Sequence, residues 1–328
     1  MIKIPPSLKF DFDTIYQINF DGLYEGMNMK YYIGIDIGGT KIAISIADET
    51  CSIIEKVKFL TEVEFLDNYK MIIAEIHKFQ DKYPYNIEAI GISAGGPLDS
   101  LKGQFISPPH LPTWHNINIK KRIEDELNIP TFLENDANAC ALAEYFYGNG
   151  RGSLNFAFLT FGTGFGAGLI LNGKLYRGSN SQAGEIGHVR IAGDGPKCFN
   201  KRGCVESFCS GAGISLLHKQ LTGKSLTAKE IYDKAEIEND EEAINTVNIS
   251  SEKLGLTLAI LIDVLALDRI VIGSIYTRSK GIIEPVMLKK MNEEILEVNR
   301  GLCEIRTAYL EENIGDVAAL TVAMQKGL

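Results

Sequence analysis

Leu159-Thr160-Phe161-Gly162-Thr163-Gly164-Phe165-Gly166-Ala167-Gly168-Leu169-Ile170 is an apolar run, a Gly/Thr-rich turn and a second apolar run. Far upstream, Tyr32-Ile33-Gly34-Ile35-Asp36-Ile37-Gly38-Gly39-Thr40-Lys41-Ile42-Ala43-Ile44-Ser45-Ile46 has the same build. Two apolar runs joined by a tight glycine turn predict a β-hairpin at each place. Glycine has no Cβ, so its backbone N–H groups can come close to an anion such as a phosphate. Either hairpin alone reads as an ordinary tight turn. The pair, with Asp36 and the threonines of the turns, predicts two related half-structures closing on one polyphosphate, and so nucleotide binding.

The bulk properties bound what surrounds these hairpins. A chain of 328 residues is long enough for two domains with cores of their own. Hydrophobic content of 45% and charged content of 23% are those of an ordinary globular protein. The net charge of −9 argues against nucleic acid or an anionic membrane as partner, while leaving room for a local phosphate site. The first residues, Met-Ile-Lys-Ile-Pro-Pro-Ser-Leu-Lys-Phe, lack the continuous apolar core of a secretory signal. The apolar stretch Leu254–Leu267 is broken by Asp263 and reads as a buried helix. Six cysteines, at 51, 140, 198, 204, 209 and 303, are too scattered for a disulfide framework. The reducing cytoplasm is the expected location.

Residues 1–28 read as an extension that packs on the surface or leads in without order, too short for a winged helix-turn-helix. Strands and helices then alternate. Strands are expected at Lys56–Val63, Ile87–Ser93 and Thr131–Leu133, and helices at Asp67–Tyr83, Ile117–Leu127 and Ala137–Tyr147. After the second hairpin come helical spans at 207–220, 227–235 and Glu241–Leu267, a strand at Arg269–Ile272, a helix near Ile283–Leu296 and an Ala-rich closing helix at Gly315–Met324. This alternation predicts an α/β fold of two layered domains with a cleft between them.

Four constellations carry chemistry. In Glu134-Asn135-Asp136-Ala137-Asn138, Asp136 either caps a helix or sits at a cleft as a carboxylate able to take a proton from an attacking hydroxyl. Glu185 and His188, three apart in a glycine-bounded loop, can turn toward one ligand and exchange hydrogen bonds with sugar hydroxyls; a lone loop histidine is otherwise structural. Cys198-Phe199-Asn200-Lys201-Arg202-Gly203-Cys204-Val205-Glu206 is a compact loop that reads either as a weak zinc pattern or as reduced thiols. Gly273-Ser274, after a buried strand, can border an adenine pocket.

Taken together, in this order and spacing, these residues resemble the ROK family of bacterial sugar kinases and repressors, from about Tyr31 to the C-terminus. Asp36-Ile37-Gly38-Gly39-Thr40-Lys41 and Gly162-Thr163-Gly164 look like its two phosphate motifs, and Glu134–Asn138 like its catalytic segment. Gly184-Glu185-Ile186-Gly187-His188 and Gly203-Cys204-Val205-Glu206 match its signature, and Gly315–Leu320 is similar to its closing helix. The resemblance implies two actin-like (ribonuclease H-like) α/β domains, here 29–137 with 308–328 and 138–307, and a homodimer. It implies ATP and Mg²⁺ as cofactors, and a hexose as the substrate.

It also implies roles. Asp136 is the general base at the sugar 6-hydroxyl. Gly96, Asn135, Glu185, His188 and Glu206 surround the sugar. Asp36 orients Mg²⁺ through water. Gly38, Gly39, Thr40, Lys41, Gly162, Thr163, Gly164 and Gly273 face the nucleotide.

Two departures stand out. Lys197 and Phe199 stand where the family usually has two cysteines, and Asn200 where it has glycine. Cys204 is in register and Cys198 is one residue off, so no metal is expected; only a shifted loop would bring His188, Cys198, Cys204 and Cys209 to one zinc ion. Ser274-Ile275 stands where the family has a run of glycines beside adenosine. Glucose is the first expectation for the sugar, with N-acetylmannosamine, N-acetylglucosamine or another hexose next. A sugar sensor without turnover is the reading from a different class. The segment Ile106–Trp114 is expected to touch the variable sugar positions.

Overall fold

Strand β1 (Tyr31–Ile37) alternates Ile33, Ile35 and Ile37 on one face with Gly34 and Asp36 on the other. In the computed structural model, which describes residues 29–83 and 87–327, the isoleucine face is buried against helix α1 (Phe65–Lys82) through Ile72, Ile76 and Phe79. Residues 1–28 lie outside the described residues, and so does what was expected of them.

β1 turns at Gly38–Thr40 into antiparallel β2 (Lys41–Asp48), which pairs with β3 (Ile53–Leu60). On its other edge β1 runs parallel to β4 (Ile87–Ala94), which pairs in parallel with β7 (Thr131–Asn135). A small ribbon of β5 (Leu98–Asp99) and β6 (Gln104–Phe105) and helix α2 (Ile119–Leu127) connect β4 to β7. The sheet order is β3-β2-β1-β4-β7.

The second sheet repeats this plan. β8 (Phe156–Phe161), β9 (Phe165–Leu171) and β10 (Lys174–Leu175) form an antiparallel meander. β13 (Arg269–Ile272) then lies parallel to both β8 and β14 (Glu304–Thr307), in the order β10-β9-β8-β13-β14. The two halves thus share one topology, which is the expected actin-like fold.

Between β10 and β13 lie the hairpin β11 (Lys197–Cys198) and β12 (Lys201–Arg202), then α4 (Val205–Phe208), α5 (Gly211–Thr222), α6 (Ala228–Asp233) and the long α7 (Glu241–Leu265). After β13 come α8 (Ile275–Arg278) and α9 (Lys280–Glu294). Helices α5, α7 and α9 supply much of the largest core, which packs on the second sheet.

Two small-residue helices join the halves. α3 (Asp136–Tyr147) follows β7 directly and α10 (Ile314–Met324) closes the chain. A Cβ on Gly34 would sit 2.8 Å from the Leu320 nitrogen, and one on Gly91 2.1 Å from the Ala319 oxygen, so α10 lies directly on the first sheet at two glycines. A Cβ on Gly168 would meet the Ala137 oxygen at 2.3 Å, so α3 lies equally close to the second sheet. Ala139, Leu142 and Ala143 share a core with Ala318, Val322, Phe156 and Val271. Buried Glu144 of α3 fastens the pair, accepting from the N–H groups of Asn149, Tyr309 and Leu310 at 2.8–2.9 Å. No described helix is long and apolar enough to cross a membrane.

Candidate active site

The turn from β7 into α3 settles how the Asn-Asp pair divides its work. Asn135 is the N-cap: its side-chain oxygen accepts from the Ala137 N–H at 3.0 Å and the Asn138 N–H at 3.4 Å. Asp136, the first helical residue, is partly exposed and has one carboxylate oxygen 2.8 Å from the Ala137 N–H. The dense protein around it raises its pKa above the ordinary carboxylate range, and Glu185 adds to the rise.

Beneath this turn Glu134 is fully used. It accepts from Ser100 Oγ, Asn135 N and Asn138 Nδ2, and pairs with Arg177 Nε at 2.7 Å. Arg177 also donates to the Gly327 carbonyl, so the segment after the last helix helps hold the turn from β7 into α3.

Asp36 lies near Asp136 and Asp316. Burial first, then these two carboxylates, push its pKa up to about 6, against the pull of Ser93 and Lys56. A Cβ on Gly315 would sit 2.4 Å from Asp36 Oδ2, which explains glycine at the start of α10. Lys56 of β3 forms an ion pair with buried Asp316. This lysine and Asp316 were not singled out from sequence, because the pair is distant along the chain. The Gly315-Asp316 step in the closing helix was the one available signal.

Both glycine turns are shaped as expected. In the first, Gly38 N–H bonds to the Lys41 carbonyl at 3.0 Å, and Thr61 binds the Gly38 and Thr40 carbonyls. Gly38, Gly39 and Thr40 are exposed, as is Lys41. In the second, Gly162 N–H bonds to the Gly164 carbonyl at 3.1 Å, and the Gly162 carbonyl accepts from Gly211 N–H at 2.8 Å. Gly162 and Thr163 open into a cavity of about 1020 Å³, walled also by Gly211, Ser215, Thr227, Tyr232, Ser274 and Arg278. Ser274 was expected beside the adenine; Gly211, Ser215, Thr227, Tyr232 and Arg278 escaped the sequence reading, since nothing in their local pattern separates them from any helix start. Gly273, expected at the nucleotide, does not line this cavity: a Cβ there would lie 3.1 Å from Phe158 Cζ, and its neighbour Ser274 takes the wall.

Gly95 and Gly96 lie close to the Asn135-Asp136 turn. A Cβ on Gly96 would lie 3.4 Å from Asn135 Nδ2 and one on Gly95 3.9 Å from Asp136 Oδ2. Glu185 and His188 do face each other, Oε2 to Nε2 at 3.6 Å. Glu206 receives the Phe165 N–H on Oε2 at 2.9 Å and the Cys198 thiol on Oε1 at 3.3 Å. It therefore joins the β11–β12 hairpin to the end of the second glycine turn. Burial and Glu206 push the Cys198 thiol up to about 12, so it stays a protonated donor.

The His188 ring stacks on Phe199, with centroids 3.8 Å apart and 25° between planes. Cys209 points elsewhere: its thiol reaches the Ser250 carbonyl in the core at 3.7 Å, and so it cannot join His188 at a metal. Among the described residues no group of three or more His, Cys, Asp or Glu is arranged to hold a metal ion. The Ile106–Trp114 segment is also revised at its end. Trp114 is fully buried, edge-on between Phe65 and Phe105, while His110 packs on Gly39 of the first turn.

The pattern of the ROK family, as a family model describes it, matches residues 32–326. A glucokinase of Halalkalibacterium halodurans is 31% identical, over 75% of this chain and 81% of its own. An N-acetylmannosamine kinase of Vibrio cholerae is 34% identical, over 77% and 86% respectively. A xylose repressor of Bacillus subtilis is 30% identical over 81% of this chain and 68% of its own. The crystal structure of a glucokinase from Streptomyces griseus, in complex with glucose and AMPPNP, superposes with a TM-score of 0.74 at 27% identity, covering 91% of this chain and all of that one.

Proposed function

This chain belongs to the ROK family, and from that premise we propose that it is an ATP-dependent kinase that transfers the γ-phosphoryl group to the 6-hydroxyl of a hexose, glucose before N-acetylmannosamine or another hexose. The observation that carries the proposal is the division of labour at the α3 start: Asn135 caps the helix, and Asp136 presents a carboxylate of raised pKa to the cleft. A carboxylate whose pKa is raised above the ordinary range is a stronger base than a free one, and so better suited to accept the hydroxyl proton as the oxygen attacks phosphorus. The AMPPNP-bound glucokinase with this fold supports a nucleotide substrate, and the cavity beside Gly162 and Thr163 is where this reading seats it.

In this reading Gly96, Asn135, Glu185, His188 and Glu206 bind the sugar hydroxyls. Carboxylate oxygens carry spare lone pairs, so Glu206 can accept from a hydroxyl while keeping its two present donors. The N–H groups of Gly39, Thr40, Thr163 and Gly164 face the phosphates, those of Gly38 and Gly162 being spent on closing the two turns, with Lys41 at the rim of the first turn. Gathered oxygen donors with too little positive charge suit Mg²⁺, which Asp36 would hold through water and which, when bound with ATP, spreads the phosphate charge. The same reading divides the chain into 29–137 with 308–328 and 138–307, closing over the sugar so that water is excluded. It also makes the protein a cytoplasmic homodimer.

The test is ADP release with Mg-ATP across glucose, N-acetylmannosamine, N-acetylglucosamine, mannose, fructose and allose. Turnover on one of them names the sugar. Binding without turnover on any of them makes the protein a sensor instead, the direction in which the xylose repressor relative points.

A further inference from the structure

The loop that the family resemblance would fill with zinc does not fit zinc in this chain. A tetrahedral site needs four converging donors. Here the His188 ring is covered by Phe199, the Cys198 thiol is committed to Glu206, and the Cys209 thiol is turned into the core. Something else must fix His188 and Glu206.

The hairpin of β11 and β12 offers a device. Its two-residue turn, Phe199-Asn200, has φ of 47° and 62°, the left-handed pair that joins strands most tightly. Asparagine tolerates that conformation; phenylalanine rarely adopts it. The backbone strain at Phe199 holds an aromatic ring at the surface, 47% exposed, against His188. On the same short hairpin, Cys198 reaches the other side of the loop and binds Glu206. Glu206 in turn holds the Phe165 N–H beside Gly164.

We propose that Lys197–Cys204 is a metal-free clamp in which Phe199 orients His188 by stacking and Cys198 orients Glu206 by a thiol hydrogen bond, so that sugar recognition is independent of zinc. Phe199 and Cys198 are positioning residues, and the inference rests on the assignment of His188 and Glu206 to the sugar made above. An aromatic stack of this kind is worth enough that its loss weakens binding by roughly fivefold.

The experiment uses the full chain. Metal content is measured by mass spectrometry, and hexose binding by calorimetry without ATP, with and without a zinc-selective chelator. Phe199→Ala, Phe199→Trp and Cys198→Ala follow, each checked for an unchanged melting temperature. The expected result is zinc far below one per chain, binding unaffected by the chelator, and roughly fivefold weaker hexose binding in Phe199→Ala that Phe199→Trp restores. In turnover the same variant raises KM for the sugar and leaves KM for ATP unchanged. One zinc per chain whose removal abolishes binding overturns the clamp, and so does Phe199→Ala with wild-type sugar affinity. A chain that binds hexose but transfers no phosphate overturns the kinase reading alone, and a chain that binds no hexose overturns both.

Discussion

In the proposed mechanism Asp36 and Asp136 tie activity to a cost in stability. Each is held above the ordinary carboxylate range, Asp36 at about 6. Catalysis by a carboxylate base requires the ionised form, so activity should climb as these groups lose their protons. The expected kcat/KM profile has an acid limb centred near 6, where Asp36 titrates, and a limb in the ordinary carboxylate range contradicts the burial argument. The same shift has an opposite sign for stability. Between the ordinary value of 3.8 and about 6, the folded chain holds a proton on Asp36 that the unfolded chain releases. Stability contributed by that proton is present at low pH and lost as pH rises through this window. Asp36→Asn, which stays neutral, should therefore raise stability at pH 7 by about 1–3 kcal/mol in denaturant melts while lowering turnover. A variant no more stable than the parent would show that Lys56 and Ser93 already neutralise Asp36. Sequence alone singles out Asp36 and Asp136 as candidates, because both stand in glycine- or asparagine-marked steps between elements. It could not reach Lys56–Asp316, whose partners meet only after both sheets have formed.

At the scale of elements, local signals and local conformations separate what was legible from what was not. The two hairpins were readable because alternation and a glycine turn are local properties of the chain. β3 begins at Ile53, earlier than the expected Lys56, because Ile53 and Glu55 extend the pairing with β2 across an irregular step. The span expected as one helix at 207–220 is two, α4 and α5, broken where Ser210 caps the second through Gly213 N–H. The departure at Ser274 is visible in sequence, but its consequence is not: Ser274 takes φ 56° and ψ −110°, a region that favours glycine. Relieving that strain outweighs the entropy glycine adds to the unfolded chain. Ser274→Gly should stabilise the protein by about 1 kcal/mol in thermal or denaturant melts. A loss of stability would mean that the serine hydroxyl, which faces Gly162, holds the second turn more firmly than the backbone resists it.

Over the whole molecule, repetition of one sheet plan explains how residues from opposite ends of the chain reach a single cleft. α3 leaves the first sheet and packs on the second, and α10 returns from the second sheet to the first. Asp136 begins one of these helices, and Gly315, beside Asp36, lies at the start of the other. The two-domain layout was legible from the paired hairpins and the α/β alternation. The cavity wall from α5, α6 and α8 and the Phe199–His188 stack were not, since both depend on how loops fold back rather than on periodicity. The central claim is that this convergence makes Asp136 the base for transfer to a hexose. Its most direct test is Asp136→Asn in the full chain, with sugar and ATP affinities measured by calorimetry alongside kcat. The account predicts both affinities retained and kcat reduced by about 10²–10⁴-fold. A variant that binds both substrates and still turns over near the parent rate would contradict it.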